Sequence, residues 1–146
     1  MKKTFVTLFL SFTIFATSVF ATGTSEIDPR ILSAFQKEFS FAQNVKWEDK
    51  GELKQVSFSL YDNSFIAWYD ENAELLSTAR NILYMQLPLS VIKTLQQDYA
   101  DAEFSEIVEV TTNNETYYHV YAQVKNKKFL LKATPYGTVT ISKRLK

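Results

Sequence analysis

Ile31-Leu32-x-x-Phe35-Gln36-x-x-Phe39-x-x-Ala42 recurs sixty positions later as Val91-Ile92-x-x-Leu95-Gln96-x-x-Tyr99-x-x-Ala102. Beyond it the repetition continues with a shift of sixty-four. Val56-x-Phe58-x-Leu60 returns as Val120-x-Ala122-x-Val124, Phe65-x-Ala67-x-Tyr69 as Phe129-x-Leu131-x-Ala133, and Leu75 to Arg80 as Val139 to Arg144. The four extra residues fit the polar stretch Thr111-Thr112-Asn113-Asn114-Glu115, a lengthened hairpin loop. A repeat at this spacing is the mark of one supersecondary unit used twice.

Each unit reads as a helix followed by strands. Asp28 can cap free N–H groups and Pro29 suits the first helical turn, where its missing N–H has no partner. Ile31, Leu32, Phe35 and Phe39 then share one face at helical spacing, and the helix should end near 39–41. Strands are expected at 45–48, 55–61, 64–69 and 75–80. The second alternates, with Val56, Phe58 and Leu60 on one face and Gln55, Ser57, Ser59 and Tyr61 on the other. Leu87-Pro88 opens a second helix carrying Val91, Ile92, Leu95 and Tyr99, followed by strands at 104–110, 117–125, 128–133 and 138–143. Asn72 and Gly137, in the last turn of each unit, are the residues expected to accept the left-handed conformation. The expected fold is α+β: a tandem repeat of one helix plus a four-stranded antiparallel meander, the two sheets side by side with helices on one face.

Lys2-Lys3, the apolar run from Phe5 to Phe20, and the small residues of Val19-x-Ala21 read as a secretory signal peptide, cleaved after Ala21. The expected organisation is residues 1–21 signal, 22–27 flexible leader, and 28–146 one domain of two repeats, 28–80 and 87–146. Absence of Cys excludes a lipid-anchored lipoprotein and any disulfide framework. Without Lys2 and Lys3 the basic count falls from 16 to 14 against 16 acidic residues, a net charge of −2. That balance points away from nucleic acid, and no membrane insertion is expected after signal cleavage. Stability has to come from apolar burial, supplied by the twelve Phe and eight Tyr of the full chain, although some of the Phe leave with the signal.

The run Ala34-Phe35 … Phe39-x-x-Ala42-x-Asn44-Val45-x-Trp47, then Tyr69-Asp70-x-Asn72, then Leu87-Pro88-x-x-Val91-Ile92, resembles the PepSY-like proteins of the β-lactamase-inhibitor-protein-like group, small secreted proteins common in the Bacteroidetes. The resemblance covers almost all of the chain after the signal segment. The family turn usually carries Gly where this chain has Asn72. The resemblance implies a tandem helix-plus-four-strand fold and a non-enzymatic, inhibitory role, because its namesakes bind proteins: a β-lactamase in one case, peptidases in the wider group. It carries no binding residue over by motif.

Catalytic and metal chemistry find little purchase. His119 is the single histidine. A triad would have to use it, whereas a strand residue in Tyr117-Tyr118-His119-Val120-Tyr121 is more simply solvated or hydrogen-bonded. Without Cys or a second His a metal site is poorer still, and no cofactor is implied. Asp70-x-Asn72-x-Glu74 imitates the start of a calcium loop but is too short and lacks its glycine, so it reads as a hairpin turn. Asn114-Glu115-Thr116 is a glycosylation sequon, incidental in a chain of bacterial appearance.

The outward strand faces carry more information. If Val120, Ala122 and Val124 point to the helix, Tyr117, His119 and Tyr121 point away; the same alternation turns Ile66 and Trp68 outward, with Leu130 matching them in the second unit. Exposed apolar patches mark contact sites, and aromatics anchor interfaces. The candidate partner-binding residues are therefore Ile66, Trp68, Tyr117, His119, Tyr121 and Leu130. The functional expectation is a periplasmic or secreted, non-catalytic module that binds a protein or peptide through its sheet face; its sharper form is an inhibitor or regulator of a periplasmic peptidase. The alternative is a small hydrolase or a lipid or small-ligand carrier, which would need convergent polar groups in a pocket.

Overall fold

Asp28 begins the first helix by accepting the Arg30 N–H at 2.8 Å on its side-chain carboxylate, which also pairs with the Arg30 guanidinium at 2.7 Å. The computed structural model describes residues 27–112 and 115–145. Within them α1 (Pro29–Glu38) is followed by β1 (Gln43–Asp49), β2 (Lys54–Leu60), β3 (Asn63–Tyr69) and β4 (Leu75–Asn81). A 3₁₀ turn at Tyr84–Gln86 leads into α2 (Leu89–Asp98), then β5 (Glu103–Thr112), β6 (Thr116–Val124), β7 (Lys127–Ala133) and β8 (Val139–Leu145). The signal segment 1–21, the leader to residue 26 and the middle of the loop expected at 111–115 lie outside the described residues.

The expected fold class is corrected. In place of two four-stranded sheets lying side by side in an α+β tandem, the chain is mostly β: one eight-stranded antiparallel sheet in the order β1-β2-β3-β4-β5-β6-β7-β8, with two ten-residue helices. The joint is β4 on β5, paired continuously from Ser77↔Thr112 to Asn81↔Val108. Alternation decides which way a side chain points, but not which strand edges pair. Joining β4 to β5 satisfies two rows of backbone groups that separate sheets would leave as edges.

Register carries one face unbroken across the joint. Val56, Ala67, Thr78 and Thr111 are successive cross-strand partners on the helix side. The apolar residues of that side nevertheless form two clusters. One joins Ile31 and Phe35 of α1 to Val56, Phe58, Ala67 and Tyr69; the other joins Val91 and Leu95 of α2 to Ile107, Tyr118, Val120, Ala122 and Leu131. Each fully buried Leu, Ile or Val contributes about 1.5–3 kcal/mol. Phe35 is the hub of the first cluster, with Trp47 and Phe58 edge-on at 5.4 and 5.1 Å between ring centres. Between the clusters, on the same face, Arg80 Nε donates to Glu109 at 2.7 Å, with the guanidinium 5.9 Å from the Phe65 ring centre.

The turn ending each half differs from expectation by one residue. The left-handed residue between β3 and β4 is Ala73, at φ 65°, and not Asn72; its counterpart between β7 and β8 is Gly137, at φ 93°. Asn72 acts otherwise: its N–H and that of Glu74 donate to the Asp70 carboxylate at 2.9 and 2.8 Å. These bonds, Glu74 first, hold the Asp70 carboxyl below its ordinary pKa. Gly137 is constrained twice, because a Cβ there would lie 3.0 Å from the Ser90 carbonyl oxygen. That close approach docks the turn on α2, where Ser90 Oγ donates to the Pro135 carbonyl at 2.6 Å and Thr94 Oγ1 to that of Gly137 at 2.8 Å.

Ala73→Gly should therefore stabilise the protein by about 1 kcal/mol, by relieving a left-handed alanine. Gly137→Ala should cost about 1–3 kcal/mol through backbone strain, with the clash on Ser90 added. Urea melts of the two variants must move in opposite directions. Alkali provides a separate check. Tyr69 is 1 % exposed, and burial, with the Glu38 charge second, pushes its pKa up to about 12. The raised folded value means its contribution is full below the unfolded pKa of about 10 and is lost as pH rises from there through about 12. Melts between those pH values should show that loss, and Tyr69→Phe should remove it.

Candidate functional site

The face turned away from the helices has its own floor and walls. Ile66, Ala79, Val110 and Tyr117 are cross-strand partners in one row over β3, β4, β5 and β6. A second row runs Gln55, Trp68, Ser77 and Thr112, and a third joins Val108, His119 and Lys132. Bulky aromatics stand on β3 and β6, with Ser77, Ala79, Val108 and Val110 on the two strands between. Three interstrand steps separate the walls, roughly 14 Å. The result is an open groove of ≈ 450 Å³, with Trp68 and Leu53 toward β3 and Tyr117, His119 and Tyr121 along β6.

Ala79 and Val110 are each only 8 % exposed, yet neither belongs to either helix-side cluster. Both lie in the groove floor, which they and Val108 make largely apolar. Tyr117 and His119 meet with ring centres 5.1 Å apart and planes at 60°. On the far side of that pair the Lys132 ammonium lies 4.1 Å from the Tyr117 ring centre, a cation–π contact worth about 0.5–1 kcal/mol at an exposed site. Burial first, and the Lys132 charge second, hold the His119 pKa below its ordinary value. Among the described residues His119 forms no hydrogen bond to a hydroxyl or carboxylate, and no group of three His, Asp or Glu side chains is placed to hold a metal.

Four of the six sequence candidates, Trp68, Tyr117, His119 and Tyr121, line this groove together. Ile66 and Leu130 share the face but flank the groove: Ile66 pairs with Ala79, and Leu130 with Tyr121. Sequence reasoning missed Leu53, Ser77, Ala79, Val108 and Val110. The alternation of β4 and β5 carries the signal for the last four, but it places them only when β4 pairs with β5.

No family model matches the chain, and no curated protein does. Solved structures do. A BLIP-like protein from Bacteroides fragilis NCTC 9343 superposes with a TM-score of 0.76 at 24 % identity, over 84 % of this chain and 89 % of that one. The chain shares its fold. A DUF2874 family protein from Bacteroides uniformis ATCC 8492 gives 0.73 at 16 %, over 82 % and 89 %, and a protein from Bacteroides eggerthii DSM 20697 named as periplasmic gives 0.71 at 14 %, over 81 % and 87 %. The inhibitor-protein-like part of the sequence resemblance thus has structural counterparts, whereas none of these carries the PepSY name. Among the described residues no helix is long and apolar enough to cross a membrane.

The His119 imidazole should titrate below the ordinary histidine value of about 6.5. Its neutral form is favoured in the folded state, so its contribution to stability is full above that value and declines as pH falls through it. NMR titration of the Cε1 proton checks the direction. Lys132→Ala should raise the midpoint only in part, because burial is the larger cause.

Proposed function

We propose that this chain is a secreted, non-catalytic binding module that holds a protein or an extended peptide in the aromatic groove of its sheet. The observation carrying this reading is the groove itself, a largely apolar floor between Trp68 and the Tyr117–Tyr121 wall. Tyr and Trp are the residues that dominate interface energetics, since each buries a large rigid surface at small entropic cost. The open shape suits an extended segment or a protruding loop better than an enclosed small molecule. His119 lies against an aromatic ring and an ammonium, an arrangement suited to contact rather than to proton transfer.

Inhibition or regulation of a peptidase is the sharper form of the same proposal, supported by the resemblance in the sequence and the fold shared with a BLIP-like protein. The periplasm is the proposed compartment. Its support is the Lys2-Lys3 start with the apolar run behind it, and a structural neighbour named for that compartment. The proposed domain is residues 28–146, following a removed signal and a short leader.

Affinity capture from the native envelope fraction, with mass spectrometry of what is retained, should recover a protein partner. Trp68→Ala alone should weaken it by about 2 kcal/mol, roughly thirtyfold. The variant combining Trp68→Ala, Tyr117→Ala and Tyr121→Ala should lose the partner while keeping its melting curve. A folded triple variant that still captures the partner sinks the proposal, and one that unfolds makes this face part of the core.

A further inference from the structure

The charges around the groove narrow the chemistry of its occupant. Among the described residues no carboxylate lines the groove. Charged groups next to it are Glu106, which pairs across the strands with Tyr121, and Lys132, which pairs with His119 and among the described residues enters no ion pair. Its ammonium is held over Tyr117 by a contact weaker than a charge-assisted hydrogen bond. Lys143 lies further along the same face, across from Leu130. The acidic groups of this face are Glu48, Glu103 and Glu106, and of these Glu106 lies beside the groove wall. Glu48 is on the edge strand and pairs with Lys50 at 2.7 Å; Glu103 and Glu106 begin β5, across from Gln123 and Tyr121. An incoming carboxylate would thus meet an ammonium already positioned at the rim, with no existing ion pair to break.

We propose that the groove takes an acidic protein segment, an apolar or aromatic side chain entering between Trp68 and Tyr117 with a neighbouring carboxylate pairing to Lys132. This rests on the proposed function and adds the charge of the partner. The apolar anchor supplies affinity, and the lysine supplies discrimination against neutral and basic segments, the division usual at protein interfaces. The His119 pKa, lowered by burial first and by the Lys132 charge second, agrees with such a site, and a bound carboxylate would oppose that lowering. The charged and titratable groups on the strands around His119 are Glu106, Tyr117, Tyr121, Lys132 and Lys143, so a rise on binding reports the added anion.

Two synthetic peptides test the proposal by NMR on the exported protein: acetyl-Ser-Trp-Glu-Glu-Ser-amide and its counterpart with lysines in place of the glutamates. The acidic peptide should shift the Trp68 indole and His119 signals, raise the His119 pKa, and bind about tenfold or more tighter than the basic one. The margin should shrink as salt rises from about 0.05 M to about 0.5 M. Lys132→Glu, an exposed change that leaves both cores intact, should reverse the order of the two peptides. Equal binding of both peptides, preference for the basic one, binding of neither, or an unchanged order in Lys132→Glu overturns the proposal. Self-association of the chain through this face, detected by sedimentation and lost in the triple alanine variant, also overturns it, because the occupant is then a second copy. The parent reading fails separately. If capture survives Lys132→Glu but not the triple variant, the binding face stands without the acidic preference. If capture survives the triple variant, the face itself is wrong.

Discussion

The hydrogen bonds between β4 and β5 are the constraint on which the rest of the molecule depends. Five cross-strand pairs, Ser77↔Thr112 to Asn81↔Val108, turn the two strand meanders into one sheet. Without that joint each helix would cover a small sheet with two open edges. With it, the outer face becomes wide enough for a groove whose walls come from β3 and β6, on opposite sides of the joint. The groove is therefore a property of the whole sheet, and neither half contains it.

The joint differs between its two faces. On the helix side the polar pair Arg80–Glu109 separates two apolar clusters, each beneath its own helix. A half-exposed pair of this kind contributes little net stability, and its cost of formation is small because both groups keep contact with water. On the other side the same strands present Ala79 and Val110, both buried and outside either cluster. One face of the joint thus keeps two cores apart, while the other forms a continuous apolar floor.

Much of the local structure was legible in the sequence, and the reasons are specific. Asp28-Pro29 marked the start of α1, and the alternation in Val56-x-Phe58-x-Leu60 and Val120-x-Ala122-x-Val124 sorted inward from outward side chains. That sorting also brought Trp68, Tyr117, His119 and Tyr121 to one face, where the groove gathers them. The pairing of β4 with β5 was not legible, because it depends on edges meeting across a connection of many residues, and periodicity of two is silent about edges. For this reason the single sheet was read as two, and the floor residues on β4 and β5 went unnoticed. The exchange of Asn72 for Ala73 has another cause. Asparagine is the commoner left-handed residue, but here its N–H is engaged by Asp70, and the chain turns one position later.

Ala79 has a consequence for how such a protein can diversify. It lies at the centre of the groove floor, between Ile66 and Val110, and belongs to neither helix-side cluster. If the groove holds a partner as proposed, the bulk of that one side chain would set how deep the partner's residue can reach: serine or glycine would admit a larger one, valine or leucine only a smaller one. Neither change disturbs the packing beneath the helices. On that proposal, selectivity and foldedness would fall to different residues of the same two strands, and single substitutions at the joint could retune recognition while both cores stay as they are.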